Sequence, residues 1–304
     1  MSLVVVGSVA FDAIETPYGK TDKIIGGAAT FICFSASTFL RPIGLVSVVG
    51  GDYPQSALDM FREKGVDLVG LEIKPQEKSF FWSGKYNTDL NTRETLATEL
   101  NVLATFQPKV PETHQNSDFL MLGNLTPDIQ RSVIHQMKKR PKLIVMDTMN
   151  FWMDIALDSL LQTIREVDVL TINDEEARQL SGEYSLKKAA RKILSMGPKY
   201  LIIKKGEHGA LLFHENGLFY APALPIEDVF DPTGAGDTFA GGFIGWLAKT
   251  GDLSFENFKR AVIYGSALAS FCVEQFGTQR LETLTQPEVV QRAQEFANLV
   301  QFNL

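Results

Sequence analysis

Residues 231–243 read DPTGAGDTFAGGF and combine residue types that could transfer a charged group. Glycines at a helix start let backbone N–H groups approach an anion, which the positive end of the helix dipole also stabilises. Gly234, Ala235 and Gly236 would form such an anion site, and Asp237 stands directly beside it. A carboxylate base next to an anion site can take a proton from a hydroxyl while a phosphoryl group is transferred. The stretch therefore indicates phosphoryl transfer.

Asp237 could instead be a capping carboxylate at the start of the helix. Asp231 and Thr233 already offer capping side chains, which weakens this alternative. A glycine inside a helix costs about 1 kcal/mol relative to alanine. Gly241 and Gly242 therefore indicate a helix that passes very close to a neighbouring element.

The elements that must position these residues are visible as short apolar segments alternating with segments of helix length. Each is bounded by Gly, Pro, Asn or Asp, which is the pattern of a parallel sheet covered by helices on both faces. The segments are 3–6, 45–49, 119–122, 143–146, 167–172 and 201–203. They predict one three-layer α/β/α domain over residues 1–304, with ligands bound beyond the carboxyl ends of the strands.

Two segments, 13–25 and about 72–100, do not fit this alternation because they are polar, rich in β-forming residues and irregular. Together they predict a small β lid at the edge of the domain, with a hinge at residues 26–27. Each segment could instead be a separate surface hairpin. The aromatic residues 80–82 in the second segment could stack on a substrate or cover the hinge.

Composition excludes several classes of protein. With 29 basic and 36 acidic residues, a formal net charge of -7 and no basic stripe, we expect no binding to nucleic acid or to an anionic membrane surface. Cys33 and Cys272 are the only cysteines, and their apolar surroundings fit a reducing, cytoplasmic environment. The opening MSLVVVGSVAF has no charged start and predicts a first strand, not a signal peptide or membrane span.

These motifs carry a family resemblance. DPTGAGDTFAGGF closely resembles the second signature of the ribokinase-like (PfkB) carbohydrate kinases, which surrounds an aspartate base. The double glycine at 26–27, with VVGGD at 48–52, is similar to the first signature region. NDEE at 173–176 is similar to the magnesium and phosphate motif, and KKGEHGALLF at 204–213 to the nucleotide-binding turn. The pieces follow the family's order over nearly the whole chain, which implies the ribokinase-like fold with its mostly parallel sheet and small β lid.

The resemblance implies a phosphotransferase that moves the γ-phosphoryl group of ATP to an alcohol group of a sugar or sugar-like acceptor. Asp237 would be the general base, and the backbone of residues 234–237 the anion hole. Asn173 and Glu176 would organise the Mg²⁺ of the nucleotide through water, because Mg²⁺ dehydrates reluctantly. By themselves, these residues would also suit a helix start with Asn173 as N-cap. The nucleotide-binding residues implied are Lys204, Gly206, Gly209, Thr233 and Gly277.

The positions that would bind the acceptor match the family pattern less completely than the nucleotide-binding positions do. The acceptor-binding residues implied are Asp12, which follows the first strand, with Gly26, Gly27 and Asn124. Many family members carry a sugar-contacting asparagine after the double glycine, whereas GGAATFICF has none and places Thr30 or Phe31 near that position. Arg93, in the predicted lid, is the candidate to recognise an acceptor that already carries phosphate.

Other expectations stay open at the level of sequence. Asp231 and Thr233 match positions that hold a monovalent cation such as K⁺ in some members. A nucleoside acceptor is an alternative to a sugar, since an aromatic platform at Phe81 and Trp82 would suit a purine or pyrimidine. A non-catalytic ligand-binding protein is the alternative of another class, and the intact Asp237 argues against it. Family lids sometimes pair between subunits, which suggests a homodimer through the lid.

Overall fold

The computed structural model describes residues 1–301. The strands are β1 (Leu3–Val6), β2 (Ala10–Thr16), β3 (Gly19–Lys20), β4 (Ile24–Gly26), β5 (Ile43–Gly50), β6 (Val66–Lys74), β7 (Phe80–Tyr86), β8 (Arg93–Glu99), β9 (Phe119–Leu122), β10 (Leu143–Asp147), β11 (Val169–Asn173), β12 (Tyr200–Lys204), β13 (Ala210–His214) and β14 (Gly217–Ala221).

The α-helices are α1 (Ala28–Ala36), α2 (Gln55–Glu63), α3 (Pro127–Gln136), α4 (Asn150–Ile155), α5 (Leu157–Ile164), α6 (Asp174–Ser181), α7 (Leu186–Leu194), α8 (Ala235–Thr250), α9 (Phe255–Cys272), α10 (Gln279–Thr283) and α11 (Gln286–Val300). Within the described range, no helix has both the length and the apolar character that crossing a bilayer requires.

The main sheet is mostly parallel and is covered on both faces. Within residues 1–301 its strand order is β14-β13-β12-β11-β10-β9-β1-β5-β6, and only the β12-β13 and β13-β14 pairs are antiparallel. Alternate residues of β1 enter two different cores. Leu3 and Val5 pack with α1, α2, α8 and α9, whereas Val4 and Val6 pack with α3, α5, α6 and α7. The predicted three-layer α/β/α fold is confirmed.

All six predicted strand segments form strands of the main sheet. Strands β6, β13 and β14 were not predicted. Strand β6 lies at a sheet edge and is mostly half-exposed, so its sequence lacks the continuous apolar run of a central strand. Its residues 66–74 pair with β5, and the predicted lid segment 72–100 therefore begins inside the main sheet.

A second sheet, here called the lid sheet, consists of β2, β3, β4, β7 and β8. Strand β2 starts at Ala10, three residues before the predicted segment, and runs parallel to β7. The pairing places Asp12 opposite Trp82, and Ile14 opposite Gly84. Because paired residues share a face of a sheet, Asp12 and Trp82 project to the same side.

Helix α8 packs unusually closely against two neighbouring helices. A Cβ atom at Gly241 would lie 2.4 Å from the carbonyl oxygen of Ile32 in α1. A Cβ atom at Gly242 would lie 2.6 Å from the Cδ1 atom of Leu268 in α9. Neither position has room for a side chain, which accounts for the two glycines inside this helix.

Candidate active site

The polar residues of the candidate site lie where neighbouring parallel strands end. Strand β10 ends at Asp147, β11 at Asn173 and β12 at Lys204, and these three strands are adjacent in the main sheet. Asn173 and Lys204 face each other directly in the register. The strand order therefore brings together residues that are about 30 to 60 positions apart in the sequence, at the sheet edge where ligands bind in such folds.

The residues of the predicted anion site lie at the start of α8. Gly234 is the N-cap, with φ of 75°, and a Cβ atom there would lie 2.5 Å from the ring of Phe31. Both facts restrict this position to glycine. Ala235, Gly236 and Asp237 make the first turn, whose N–H groups have no partners within the helix. The N–H of Ala235 donates a hydrogen bond of 3.2 Å to the carbonyl oxygen of Pro232, which leaves the N–H groups of Gly236 and Asp237 to bind an anion.

Lys204 adds a positive charge next to this turn. Its Nζ atom lies 2.7 Å from the Oδ2 atom of Asp147, and both side chains are largely buried. A Cβ atom at Gly236 would lie 3.1 Å from the same Nζ atom, so the ammonium group borders the anion site. Asp147 was missed by the sequence analysis. The sequence contains one indication of its role, since Asp147 is an acid directly after the predicted strand 143–146.

Asp237 has the protonation behaviour that a base at neutral pH needs. Burial raises the pKa of its carboxyl to about 7, and repulsion by Asp147 adds to the rise. The charges of Lys204 and Arg93 act in the opposite direction. A base with a pKa near the working pH combines an available ionised form with sufficient basicity.

Asn173 and Glu176 form a capping box at the start of α6. The Oδ1 atom of Asn173 accepts a hydrogen bond of 2.7 Å from the backbone N–H of Glu176, and the Oε2 atom of Glu176 accepts one of 2.7 Å from the N–H of Asn173. Glu176 is buried, which raises the pKa of its carboxyl to about 7, while the Lys204 charge lowers it. Asn173 and Glu176 therefore form the helix start that was considered from the sequence.

The carboxylates of this site suit a Mg²⁺ ion that arrives with a nucleotide. No cluster of three or more acidic, histidine or cysteine side chains within residues 1–301 could hold a metal ion. Mg²⁺ typically keeps several waters and binds one or two carboxylates together with substrate phosphates. Glu176 and Asp147 provide oxygen donors of that kind, next to Lys204.

The acceptor acid predicted from the sequence lies on the lid sheet. Asp12 is 5% exposed, and its Oδ2 atom accepts a hydrogen bond of 3.4 Å from the backbone N–H of Gly27. A Cβ atom at Gly26 would lie 1.9 Å from the same oxygen, so the double glycine makes room for this carboxylate. Burial raises the pKa of Asp12 to about 7, and repulsion by Asp231 and Asp237 contributes to the rise.

The aromatic residues of the lid sheet have different surroundings. Phe81 packs against the main core. The indole ring of Trp82 lies over Gly84, where a Cβ atom would be 2.2 Å from its Cη2 atom. The Trp82 ring therefore extends over Gly84 on the same face as Asp12. The guanidinium carbon of Arg93 is 5.6 Å from the centre of this ring.

The remaining acceptor candidates are engaged in internal contacts. Asn124 accepts a hydrogen bond of 2.8 Å from Trp152 Nε1, and its amide lies 3.0 Å from the sulfur of Met149. Thr30 is fully buried and donates to the carbonyl oxygen of Gly26. Phe31 is 1% exposed beneath Gly234. Position 31 therefore supports the anion site by packing.

Asp231 fixes the loop that precedes the anion site. Its carboxylate is fully buried and accepts hydrogen bonds of 2.8 Å from the backbone N–H groups of Thr233 and Gly277. The Thr233 hydroxyl donates to the phenol oxygen of Tyr86, 3.1 Å away in the lid sheet. Tyr86 was not identified from the sequence, because nothing local links it to a residue 147 positions later.

The predicted nucleotide turn connects β12 to β13 through a single 3₁₀ turn, Gly206–His208. Gly206 and Gly209 have φ values of 52° and 80°. A Cβ atom at Gly209 would lie 2.1 Å from the carbonyl oxygen of Ala221, so the turn packs tightly against the end of β14. A Cβ atom at Gly206 would lie 2.9 Å from Oδ1 of Asn91, in the lid-sheet hairpin.

A covered parallel sheet with a lid sheet over its carboxyl edge is the architecture of a ribokinase-like kinase. A model of the pfkB family carbohydrate kinases matches residues 1–284, and the chain belongs to that family. It is therefore a phosphotransferase with an alcohol group as acceptor, and the resemblance noted in the sequence is confirmed.

The chain is 30% identical to the cytidine kinase of Thermococcus kodakarensis over 254 residues, which are 82% of this chain and 89% of the relative. It is 25% identical to the ribokinase of Lactococcus lactis, covering 90% of this chain and 91% of the relative. Among solved structures, an Escherichia coli protein assigned as a ribokinase II, in complex with ATP and Mg²⁺, superposes with a TM-score of 0.79. That pair shares 20% identity over 97% of this chain and 99% of the other, which shows the common fold.

Proposed function

We propose that this kinase transfers the γ-phosphoryl group of ATP to a hydroxyl of a nucleoside, with Asp237 as general base. The observation that carries the chemistry is the position of Asp237 in the first turn of α8, beside free backbone N–H groups and the ammonium of Lys204. This arrangement joins a base for the attacking hydroxyl to donors for the transferred group.

The proposed step balances without any further reactant. The acceptor oxygen forms a bond to the γ-phosphorus, and the bond from that phosphorus to the β–γ bridging oxygen breaks. The acceptor proton passes to Asp237, and ADP leaves with the bridging oxygen. The N–H groups of Gly236 and Asp237 would bind the oxygens of the transferred group, where charge must be stabilised.

The nucleotide would lie along the turn at Gly206 and Gly209, with its phosphates directed to the start of α8. Lys204 is positioned to bind phosphate oxygens because its ammonium borders Gly236. When bound, Mg²⁺ would neutralise phosphate charge, with Glu176 as the nearby carboxylate. A monovalent cation near Asp231 and Thr233 is retained only as a hypothesis, since the Asp231 carboxylate already accepts two backbone hydrogen bonds.

Two features of the lid sheet support a nucleoside acceptor. The buried carboxylate of Asp12 is suited to bind sugar hydroxyls, because hydroxyl groups donate strong hydrogen bonds to an ionised carboxylate. The Trp82 ring lies on the same face and offers an aromatic surface on which a nucleobase could stack. The identity of 30% with a cytidine kinase points the same way.

A free sugar is the second candidate acceptor. Asp12 alone would serve it, and the identity of 25% with a ribokinase favours it. The two candidates differ in their need for Trp82, since a free sugar has no base to stack on the ring. Trp82→Ala should therefore raise the KM for a nucleoside at least tenfold and leave the KM for ribose within about twofold.

The direct experiment measures ADP formation with MgATP and an acceptor panel that includes cytidine, adenosine, inosine and ribose. We expect turnover with a ribonucleoside, and loss of that turnover in Asp237→Asn. Turnover with ribose alone would replace the nucleoside proposal by the sugar proposal. Absence of turnover with every acceptor, together with unchanged nucleoside binding in Asp237→Asn, would favour the non-catalytic alternative.

A further inference from the structure

The hairpin formed by β7 and β8 contacts the main domain directly before the anion site. Tyr86, the last residue of β7, is 5% exposed and accepts a hydrogen bond of 3.1 Å from the Thr233 hydroxyl. Tyr86 also pairs with Arg93, the first residue of β8, across the hairpin. The contact with Thr233 therefore fixes the strand position from which Arg93 projects.

The tip of the same hairpin contacts a second part of the main domain. Asn91 lies against Gly206 in the predicted nucleotide turn. A Cβ atom built on Gly206 would be 2.9 Å from the Oδ1 atom of Asn91. Arg93 lies between this contact and the one made by Tyr86. The hairpin thus spans the space between the nucleotide turn and the loop before α8.

The charge of Arg93 acts on acids from three separate elements. It lowers the pKa of Asp12 in β2, of Glu176 in α6 and of Asp237 in α8. The strand pairing agrees with this, because Arg93 pairs with Tyr86, and Tyr86 shares a face of the lid sheet with Trp82, the partner of Asp12. None of the ion pairs found within residues 1–301 involves Arg93, so its guanidinium is not committed to a carboxylate there. The ring of Trp82 supports it from one side, 5.6 Å away.

We propose that Arg93 is a catalytic residue that contacts the transferred phosphoryl group, and that Tyr86 is the positioning residue that holds it there. This inference rests on the proposed use of ATP. During transfer, negative charge spreads over the equatorial oxygens of the γ-phosphoryl group while the acceptor bond forms and the bond to ADP breaks. The guanidinium donates hydrogen bonds to those oxygens and forms no covalent bond, and Asp237 still takes the acceptor proton.

From the sequence, Arg93 is also a candidate for another role, the recognition of an acceptor that already carries phosphate. The two roles predict different kinetics. A residue that acts on the transferred group lowers kcat when it is removed, whereas a residue that binds the acceptor raises the acceptor KM. The hairpin geometry favours the first role, because Arg93 lies between the contact of Asn91 with the nucleotide turn and the contact of Tyr86 with the loop before α8.

The kinetic test compares Arg93→Met and Arg93→Lys with Lys85→Met. Lys85 is an exposed cation of the same hairpin, paired with Glu15. We expect kcat to fall by about 10² to 10³ in Arg93→Met, the loss that follows removal of one oxyanion donor. Arg93→Lys should lose less, because the charge remains without the planar fork. Lys85→Met should match the wild type. An unchanged kcat with a raised acceptor KM would overturn the proposal.

A binding test needs no acceptor. MgADP is titrated in the presence and absence of aluminium fluoride, a mimic of the phosphoryl group in transfer, and the ratio of the two affinities is measured by calorimetry. We expect the wild type to bind MgADP at least tenfold more tightly with fluoride, and Arg93→Met to lose this gain while its affinity for MgADP alone stays within about twofold of the wild type. An equal gain in both proteins, or no gain in the wild type, would overturn the role of Arg93.

The same titration separates this inference from the proposed function. Failure of the wild type to bind MgADP would contradict the use of ATP itself. Tyr86→Phe should lose part of the fluoride gain, and the double variant with Arg93→Met should lose no more than Arg93→Met alone. Such non-additivity identifies residues that act through one another. Additive losses would show that Tyr86 has an independent structural role.

Discussion

The ammonium of Lys204 lies 2.7 Å from the carboxylate of Asp147, and this ion pair joins the carboxyl ends of β12 and β10. Its charge lowers the pKa of Glu176 and of Asp237. Repulsion from Asp147 acts in the opposite direction on both groups. Burial is the main cause of the raised pKa of both acids, and the Lys204 charge partly offsets it.

Lys204→Met should destabilise the protein and shift its pH dependence. Loss of the lysine leaves Asp147 buried and unpaired, and breaking such a pair typically costs about 3–5 kcal/mol of unfolding free energy. The pKa of Asp237 should rise because an attractive charge is gone. Denaturant unfolding measures the first effect, and the acid limb of kcat/KM, which should move to higher pH, measures the second.

The double variant Lys204→Met/Asp147→Asn is the matched control for this prediction. It removes the unpaired charge, so most of the lost stability should return. Activity should stay low, because the ammonium beside Gly236 remains absent. Recovery of both stability and activity would show that Lys204 serves only to neutralise Asp147.

Asp237→Asn should lower kcat by about 10² to 10⁴, the usual contribution of a general base, with little change in the affinity for MgADP. In the wild type, kcat/KM should fall about tenfold per pH unit below pH 7, since protonated Asp237 cannot accept the acceptor proton. Steady-state kinetics between pH 5 and 9 test both statements. A near-normal kcat in the variant would show that another group is the base.

Asp237→Asn should also change how stability depends on pH. The carboxyl has an ordinary pKa of 3.8 and a pKa of about 7 when folded. Between these values the folded protein holds a proton that the unfolded chain has released, so stability falls as the pH rises from about 4 to 7. The Asp237→Asn variant has no carboxyl at this position and does not lose this stability as the pH rises. Its melting temperature should therefore exceed that of the wild type by more at pH 8 than at pH 5.

Glu288→Gln provides a control of opposite sign for this pH series. Hydrogen bonds from Thr285 and Arg280 lower the pKa of Glu288 to about 2. Its stabilising effect is present above the ordinary pKa of 4.5 and is lost as the pH falls towards 2. The variant should therefore melt below the wild type at pH 7. The same pH trend in both variants would contradict the assignment for Asp237.

Gly234→Ala should damage stability and activity together. A left-handed backbone costs a non-glycine residue about 1–2 kcal/mol, and the new Cβ atom would also displace the ring of Phe31. Gly236→Ala is the matched control, because its nearest neighbour is the flexible end of Lys204, 3.1 Å away. It should fold with near wild-type stability and lose activity only through crowding of the anion site. Equal loss of stability in the two variants would contradict this distinction.

The fold was largely predictable because its central strands are buried on both faces and appear as continuous apolar runs. Strands β6 and β14 escaped prediction because edge strands carry mixed surfaces, and β13 lies next to the edge in the antiparallel part of the sheet. The anion site and Asp237 were predictable because a helix start is built from consecutive residues. Asp147 and Tyr86 were not, since each reaches the site only through a long-range strand pairing or a contact across the cleft.

The hairpin of β7 and β8 touches both the loop before the anion site, at Thr233, and the nucleotide turn, at Gly206. A bound phosphoryl group between these contacts would be sheltered from bulk water, which limits the wasteful hydrolysis of ATP. We expect this hairpin to lift before either product leaves, in which case its opening rate would set an upper limit on turnover.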